Sequence, residues 1–281
     1  MFVKGFISTL NMERPFISVI IPNFNHAPYL DERIQSVLNQ TYRNFEIIIL
    51  DDNSTDNSLE VINQYAKDAH VTNFEIDEEN SGSPFRQWNK GLMLAKGDLI
   101  WIAESDDSCD VHLLESLVKE FENDDQLVFS FCRSRKMNES SEVEGVHFGR
   151  IKFPRNSICG SLFIKQYLLW RNYVVNASSV LFRKSVALQV DKSYQSFKGS
   201  GDWFFWVLLA ERGNVSVVDE PLNYTRQHSY NTTTEVVLNG TSGIEARKIF
   251  DYIRSRKYND CWTSIVYKSW KLYMCKYNMT Y

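Results

Sequence analysis

Residues 18–58 read SVIIPNFNHAPYLDERIQSVLNQTYRNFEIIILDDNSTDNS. Two short runs, FISVIIP (16–22) and FEIIIL (45–50), are continuous, apolar and rich in β-branched residues. Such runs predict strands buried on both faces. Between them Leu30, Ile34, Val37 and Leu38 fall at helical spacing, and the polar NQTYRN ends that pattern. A strand, a helix and a second strand in this order predict a parallel pair joined by a crossover helix. Each strand runs out into a polar loop, PNFN (22–25) and DDNSTD (51–56).

The alternation continues outward. Leu59, Ile62, Tyr65 and Ala66 mark a second amphipathic helix, and FEID (74–77) a weaker strand. Ser83 and Pro84 form an N-cap and first-turn pair for a helix through Trp88, Leu92 and Ala95, with Gly97 as its stop. LIWIA (99–103) is the fourth strand and LVFSF (127–131) the fifth. Between them Asp110 can cap a helix lined by Leu113, Leu114, Leu117, Val118 and Phe121. The expected class is α/β, a Rossmann-like, mostly parallel sheet flanked by helices. Ligands of such sheets bind beyond the carboxyl ends of the strands, where three polar loops should converge.

The second half is less regular. Residues 134–160 read as a variable loop region, and NYVVNASSVLFRKS (172–185) as a strand or hairpin. GDWFFWVLLAERG (201–213) is a short apolar helix closed by Gly213, and VSVVDEPLNYTRQH (215–228) a strand followed by a polar loop. Residues 235–281 predict a helical C-terminal extension. Residues 1–234 form the main domain, divided at 130/131.

With 281 residues, 43% of them hydrophobic, the chain can bury a large core. A formal charge of −4 excludes general nucleic-acid binding. The basic residues are concentrated after Glu245 (Arg247, Lys248, Arg254, Arg256, Lys257, Lys268, Lys271, Lys276) and are interleaved with Trp and Tyr. That tail suits either an anionic membrane surface or ordinary packing and dimer contact. Five scattered cysteines without a CxxC pair argue against a disulfide framework or structural zinc, and fit a reducing cytoplasm. The first fifteen residues lack a secretory signal, and no run approaches the ~20 apolar residues of a membrane span.

Three stretches carry chemistry. GDLIWIAESDDSCD (97–110) sets Glu104, Asp106, Asp107 and Asp110 at a strand end. Acids so spaced offer oxygen ligands to a hard divalent cation; equally, Asp107 and Asp110 can cap the next helix. In DDNSTDNS, Asn53, Ser54 and Asp56 are turn formers, whereas the pair Asp51–Asp52 can accept hydrogen bonds from a nucleotide base or ribose. Asp202, ahead of an aromatic helix, is either its cap or a base whose pKa an apolar pocket raises.

Residues 18–58 followed by NSGSPFRQWNKGLMLAKGDLIWIAESDD (80–107) closely resemble the family 2 glycosyltransferases. The likeness is strong over about residues 16–130 and looser over about 170–230. It implies the GT-A fold and inverting transfer of a sugar from a nucleotide-sugar donor, UDP-linked by preference. The acceptor it implies is a saccharide or lipid-linked saccharide in bacterial surface polysaccharide synthesis. By the same resemblance Pro22, Phe24 and Asn25 begin the nucleotide site and Asp52 binds the base. Asn80, Gly82, Asn89 and Gly91 match the family's paired N-x-G. Its D-x-D motif falls on Glu104, Ser105 and Asp106, with glutamate for the first aspartate; Asp106 holds Mn²⁺ or Mg²⁺. Asp202 takes the place of the catalytic base, and Arg226 and His228 that of groups near the diphosphate. The resemblance also implies a cytoplasmic enzyme, free or peripheral at the inner face of the cell membrane. A nucleotidyltransferase on a related sheet would show a glycine-rich basic phosphate loop, which PNFNHAPY is not; a non-catalytic sugar-nucleotide-binding module is the other rival.

Overall fold

The computed structural model describes residues 14–228, 236, 238 and 240–256. Strands β1 (Ile17–Asn23) and β2 (Phe45–Asp51) are buried at every position, as their unbroken apolar runs require. Helix α1 (Ala27–Leu38) joins them. It is followed by α2 (Ser58–Tyr65), β3 (Val71–Ile76), α3 (Pro84–Leu94), β4 (Leu99–Ile102), β5 (Ser108–Cys109), α4 (Leu113–Glu122) and β6 (Leu127–Met137). The second half holds β7 (Val143–Val146), β8 (Ile158–Cys159), α5 (Gly160–Phe163), β9 (Val180–Arg183), α6 (Lys184–Ala187), α7 (Gly201–Ala210), β10 (Asn214–Arg226) and α8 (Thr241–Ser255).

All the described strands belong to one sheet, with order β3-β2-β1-β4-β9-β6-β10-β5 and, off this path, β7 paired with β6 and β8 with β10. The first four are parallel. The fifth strand of the sequence does not continue that block: β9 inserts antiparallel between β4 and β6. Strands β6 and β10 are parallel to one another. The region expected to be loop is partly strand, because β6 runs on to Met137 and β7 folds back on it.

Successive residues of β1 face opposite sides. Val19 and Ile21 pack with Leu30 and Ile34 of α1 and Leu113 of α4, whereas Ile20 packs with Trp88 of α3 and Phe205 of α7. Gly91 lets α3 lie close on β1, since a Cβ there would meet Ile20 Cγ2 at 2.5 Å. Gly97 is not the stop of α3, which ends at Leu94. A Cβ on Gly97 would stand 2.5 Å from the Ser18 nitrogen, so the chain passes backbone to backbone there.

Helix α8 belongs to the same core as α7. Ile249, Phe250 and Ile253 are buried in it, and the Phe204 and Tyr252 rings meet edge to face at 4.8 Å. Burying those three side chains contributes on the order of 5 kcal/mol gross. A boundary at 234/235 therefore does not separate two cores. The membrane and dimer expectations concern residues 245–281, of which 257–281 lie outside the described residues. Among the described residues no helix is long and apolar enough to cross a membrane.

Candidate active site

The loops after β1 and β2 are locked together before any ligand is considered. Asn25 and Asn53 take the left-handed conformation (φ 55° and 62°), which asparagine tolerates better than most residues. Asp51 is the knot. Its carboxylate accepts from Asn23 Nδ2 (2.6 Å) and from the backbone N–H and hydroxyl of Ser54 (2.8 and 2.7 Å). Asn25 Oδ1 in turn accepts from the Thr55 N–H, and Asp56 accepts from the Ala27 N–H that opens α1. Pro22 lies within β1, opposite Leu50, and the Phe24 ring is 44% exposed at the loop's rim.

Asp52, the expected base-binding acid, is buried and binds the next loop. Its oxygens accept from Ser81 N–H (2.8 Å), Ser81 Oγ (2.9 Å) and Gln87 Nε2 (2.6 Å). Asn80 donates to the Asp52 carbonyl and accepts from the Gly82 N–H, and Gly82 turns with φ +70°. The first N-x-G thus builds the wall beside Asp52, while Asn89, half-buried on α3, lies farther along.

The acidic cluster divides by partner. Glu104 accepts from Trp88 Nε1 at 3.1 Å; burial first, then the charges of Asp106 and Asp107, push it up to about 8. Asp107 is fully structural. It takes the Arg226 N–H (3.0 Å) and the Asn176 amide and faces buried Arg33 at 3.9 Å; burial, then Asp106, raises it to about 6, against the pull of Arg33. Asp110 accepts the His112 N–H just ahead of α4, as a helix-start residue should. Asp106 is the acid left facing the crevice. Burial raises its pKa, but the hydrogen bond from His228 and the nearby imidazoles outweigh that and hold it below the usual range.

Three donors meet at Asp106. His228 Nε2 lies 3.0 Å from Asp106 Oδ2, and the His26 and His228 rings stand edge to face at 5.5 Å. One ligand atom from each of His26, Asp106 and His228 lies within 4.8 Å of the others. Ser105 Oγ is 2.8 Å from His26 Nδ1 and so orients that ring. Desolvation, the larger effect, lowers the His26 pKa and favours the neutral imidazole that a metal needs. Among the described residues His228 Nδ1 is buried without a hydrogen-bond partner. A carboxylate with two imidazoles fits a divalent ion, and Mn²⁺ better than Mg²⁺, which prefers oxygen throughout. His26 was not among the residues read from sequence; its signal was its place directly after PNFN.

Arg226 is bound extensively within the protein. Its Nε donates to the Asp106 carbonyl (2.7 Å), Nη1 to the carbonyls of Asn138 and Glu139 and to Ser141 Oγ, and Nη2 to Glu32. The guanidinium lies 4.6 Å over the Tyr29 ring. All its nitrogens are engaged within the protein. It fixes the backbone of Asp106.

Asp202 occupies the first turn of α7, where Ser200, the N-cap, makes no side-chain cap bond. Asn172 Nδ2 donates to its Oδ2 at 2.9 Å. Burial, only partly offset by the Trp203 N–H and Asn172, raises Asp202 to about 7. Its charge contributes to the raised pKa of Glu104, so α7 addresses the strand-end cluster.

The model of glycosyl transferase family 2 matches residues 18–190. The chain belongs to this family. Glycosyltransferase GlyG of Streptococcus pneumoniae serotype 4 is 37% identical over 109 residues, 39% of this chain and 36% of that protein. The chain spans about a third of the length of the curated relatives it matches. S. aureus TarS (residues 1–349), solved with UDP-GlcNAc, superposes with a TM-score of 0.63 at 20% identity, covering 78% of this chain and 60% of that 1–349 chain. Mannosyltransferase PcManGT of Pyrobaculum calidifontis, solved with GDP-Man and Mn²⁺, gives 0.60 at 13% identity, covering 94% and 76%. The fold is that of the GT-A glycosyltransferases.

Proposed function

We propose that the protein transfers a sugar from a nucleotide-sugar donor to a hydroxyl of a saccharide or lipid-linked saccharide, with inversion at the anomeric carbon. The observation that carries this is a pair of unlike carboxylates, Asp106 and Asp202, whose charges both act on Glu104 just past the end of β4. Asp106 stands among imidazoles, and Asp202 sits on a separate helix in surroundings that raise it to about 7. Acid–base roles follow from environments that differ in this way.

Asp52, with the loop it holds, forms the wall where the nucleoside lies, and Phe24 its exposed rim. Asp106, His228 and His26 would hold the divalent ion, Mn²⁺ by preference, which supplies charge neutralisation for the departing nucleoside diphosphate. Asp202 takes the proton from the acceptor hydroxyl as it attacks, and Asn172 keeps one carboxylate oxygen turned aside so that the other faces the acceptor. The transition state is oxocarbenium-like, as in glycoside cleavage. UDP is the preferred carrier because TarS, of the same fold, was solved with UDP-GlcNAc.

The test is nucleotide release from UDP-GlcNAc and GDP-mannose with Mn²⁺, for the wild type and Asp202→Asn. The wild type should turn over at least one donor, and Asp202→Asn should bind it equally but lose about 100-fold or more in rate. Binding without turnover in the wild type would mean a non-catalytic module. A fully active Asp202→Asn would refute the base assignment.

A further inference from the structure

Glu245 lies on α8, outside every motif that marks the donor site. The residue is 4% exposed, and its carboxylate accepts three consecutive backbone N–H groups, from Lys198 (2.5 Å), Gly199 (3.1 Å) and Ser200 (2.8 Å). These residues lead directly into α7, whose first turn carries Asp202. Donors at a helix start are ordinarily met by the side chain of a local cap. Here a residue 45 positions later in the chain meets the donors leading into the helix.

The arrangement is tightly packed. A Cβ on Gly199 would meet Val236 Cγ2 at 2.5 Å, and one on Gly201 would meet the Phe85 ring at 2.5 Å and the Tyr194 carbonyl at 2.7 Å. Ile249, Phe250 and Ile253 root α8 in the core behind Glu245. The start of α7 is thus clamped between α8 and α3, and Asn172 fixes Asp202 from another side.

We propose that Glu245 is a positioning residue for sugar transfer, through which α8 sets the placement of Asp202. The inference rests on the reading of Asp202 as the base. Glu245 also acts through its charge, which adds to the dominant effect of burial in keeping the proton on Asp202. Among the described residues, other charged groups near this corner include Glu104, just past β4, Lys198, whose ammonium donates to the Gly82 carbonyl at 3.1 Å, and Lys248 of α8, whose ammonium lies 5.9 Å over the Phe197 ring. Arg171, next to Asn172, has its guanidinium over the Phe148 ring at 5.3 Å.

The test uses the full chain and two readouts. In a ¹³C NMR titration of aspartate carboxyls, the Asp202 signal is assigned by its loss in Asp202→Asn. Its midpoint should be lower in Glu245→Gln than in the wild type; an unchanged midpoint overturns the proposal. In Mn²⁺-dependent donor turnover, Glu245→Gln should lose about 10- to 100-fold in kcat with little change in donor KM, and its acid limb should move to lower pH. Loss of kcat with an unmoved limb would mean a merely structural role and overturns the proposal. Glu245→Asp, which keeps the charge but withdraws it by a methylene, should return the midpoint toward the wild-type value while kcat stays low. Full activity in Asp202→Asn would instead remove the base reading, and this inference with it; full activity in Glu245→Gln alone removes only this inference.

Discussion

Asp202→Asn should make the fold more stable as it makes transfer slower. The wild-type carboxyl is raised from 3.8 to about 7, chiefly by burial. Between those values the folded state holds a proton that the unfolded chain has released, so wild-type stability falls as pH rises through this window and levels off above it. Each pH unit is worth about 1.4 kcal/mol, and the full shift about 4 kcal/mol. Asp202 is half-buried, and solvent screening at the crevice leaves about 1–2 kcal/mol. Asparagine cannot ionise and avoids that cost, while its carbonyl can still accept from Asn172. Thermal melts of the two proteins should coincide near pH 4. At pH 8 the variant should melt a few degrees higher, since 1 kcal/mol moves a chain of this size by about 2–4 °C. A variant melting at or below the wild type at pH 8 would show that the carboxylate is not strained there. An equal gain at both pH values would assign the effect to amide packing rather than to charge.

Three further substitutions probe separate parts of the account. Asp106→Asn should weaken Mn²⁺ binding by at least about tenfold, read from free Mn²⁺ by electron paramagnetic resonance; unchanged affinity would place the ion elsewhere. Arg226→Met removes the donors that hold the Asp106 carbonyl and Glu32, and should cost about 3 kcal/mol in urea unfolding; a cost below about 1 kcal/mol would mean that those contacts are incidental. Gly97→Ala drives a Cβ against the Ser18 nitrogen and the Phe16 carbonyl, backbone atoms that cannot rotate away, and should cost about 1–3 kcal/mol. Its melting temperature equalling the wild type's would contradict the backbone-to-backbone passage.

The parallel half of the sheet was legible because β1, β2 and β4 are unbroken apolar runs ended by polar residues, and only β3, with its alternating VTNFEI, gave a weaker signal. The other half was not. Strand β9 has only four residues, and its place between β4 and β6 depends on pairings 49 to 84 positions apart, which no local pattern records. Strand β10 was read as ending in a polar loop, because Asp219, Glu220 and Pro221 break its pattern. The structure absorbs that break in register shifts against β6 and carries the strand to Arg226. The site divides in the same way. Motif residues at strand ends were found, but their hydrogen-bond partners were not. Arg226 looks from sequence like a free cation because its acceptors lie at residues 32, 106 and 138–141. Asp107 read only as a cation ligand or a helix cap, because Arg33 and Asn176, its partners, belong to distant elements. Glu245 gave no signal at all, since a glutamate on a helix otherwise reads as solvated surface.

The most direct test of the central claim is an anomalous difference map from crystals soaked with UDP-GlcNAc or GDP-mannose and Mn²⁺. The account predicts one manganese peak bonded to Asp106 and His228, with the diphosphate beside it and the nucleoside against the Asp52 wall. A nucleotide bound elsewhere, or manganese away from Asp106 while donor is present, would contradict it.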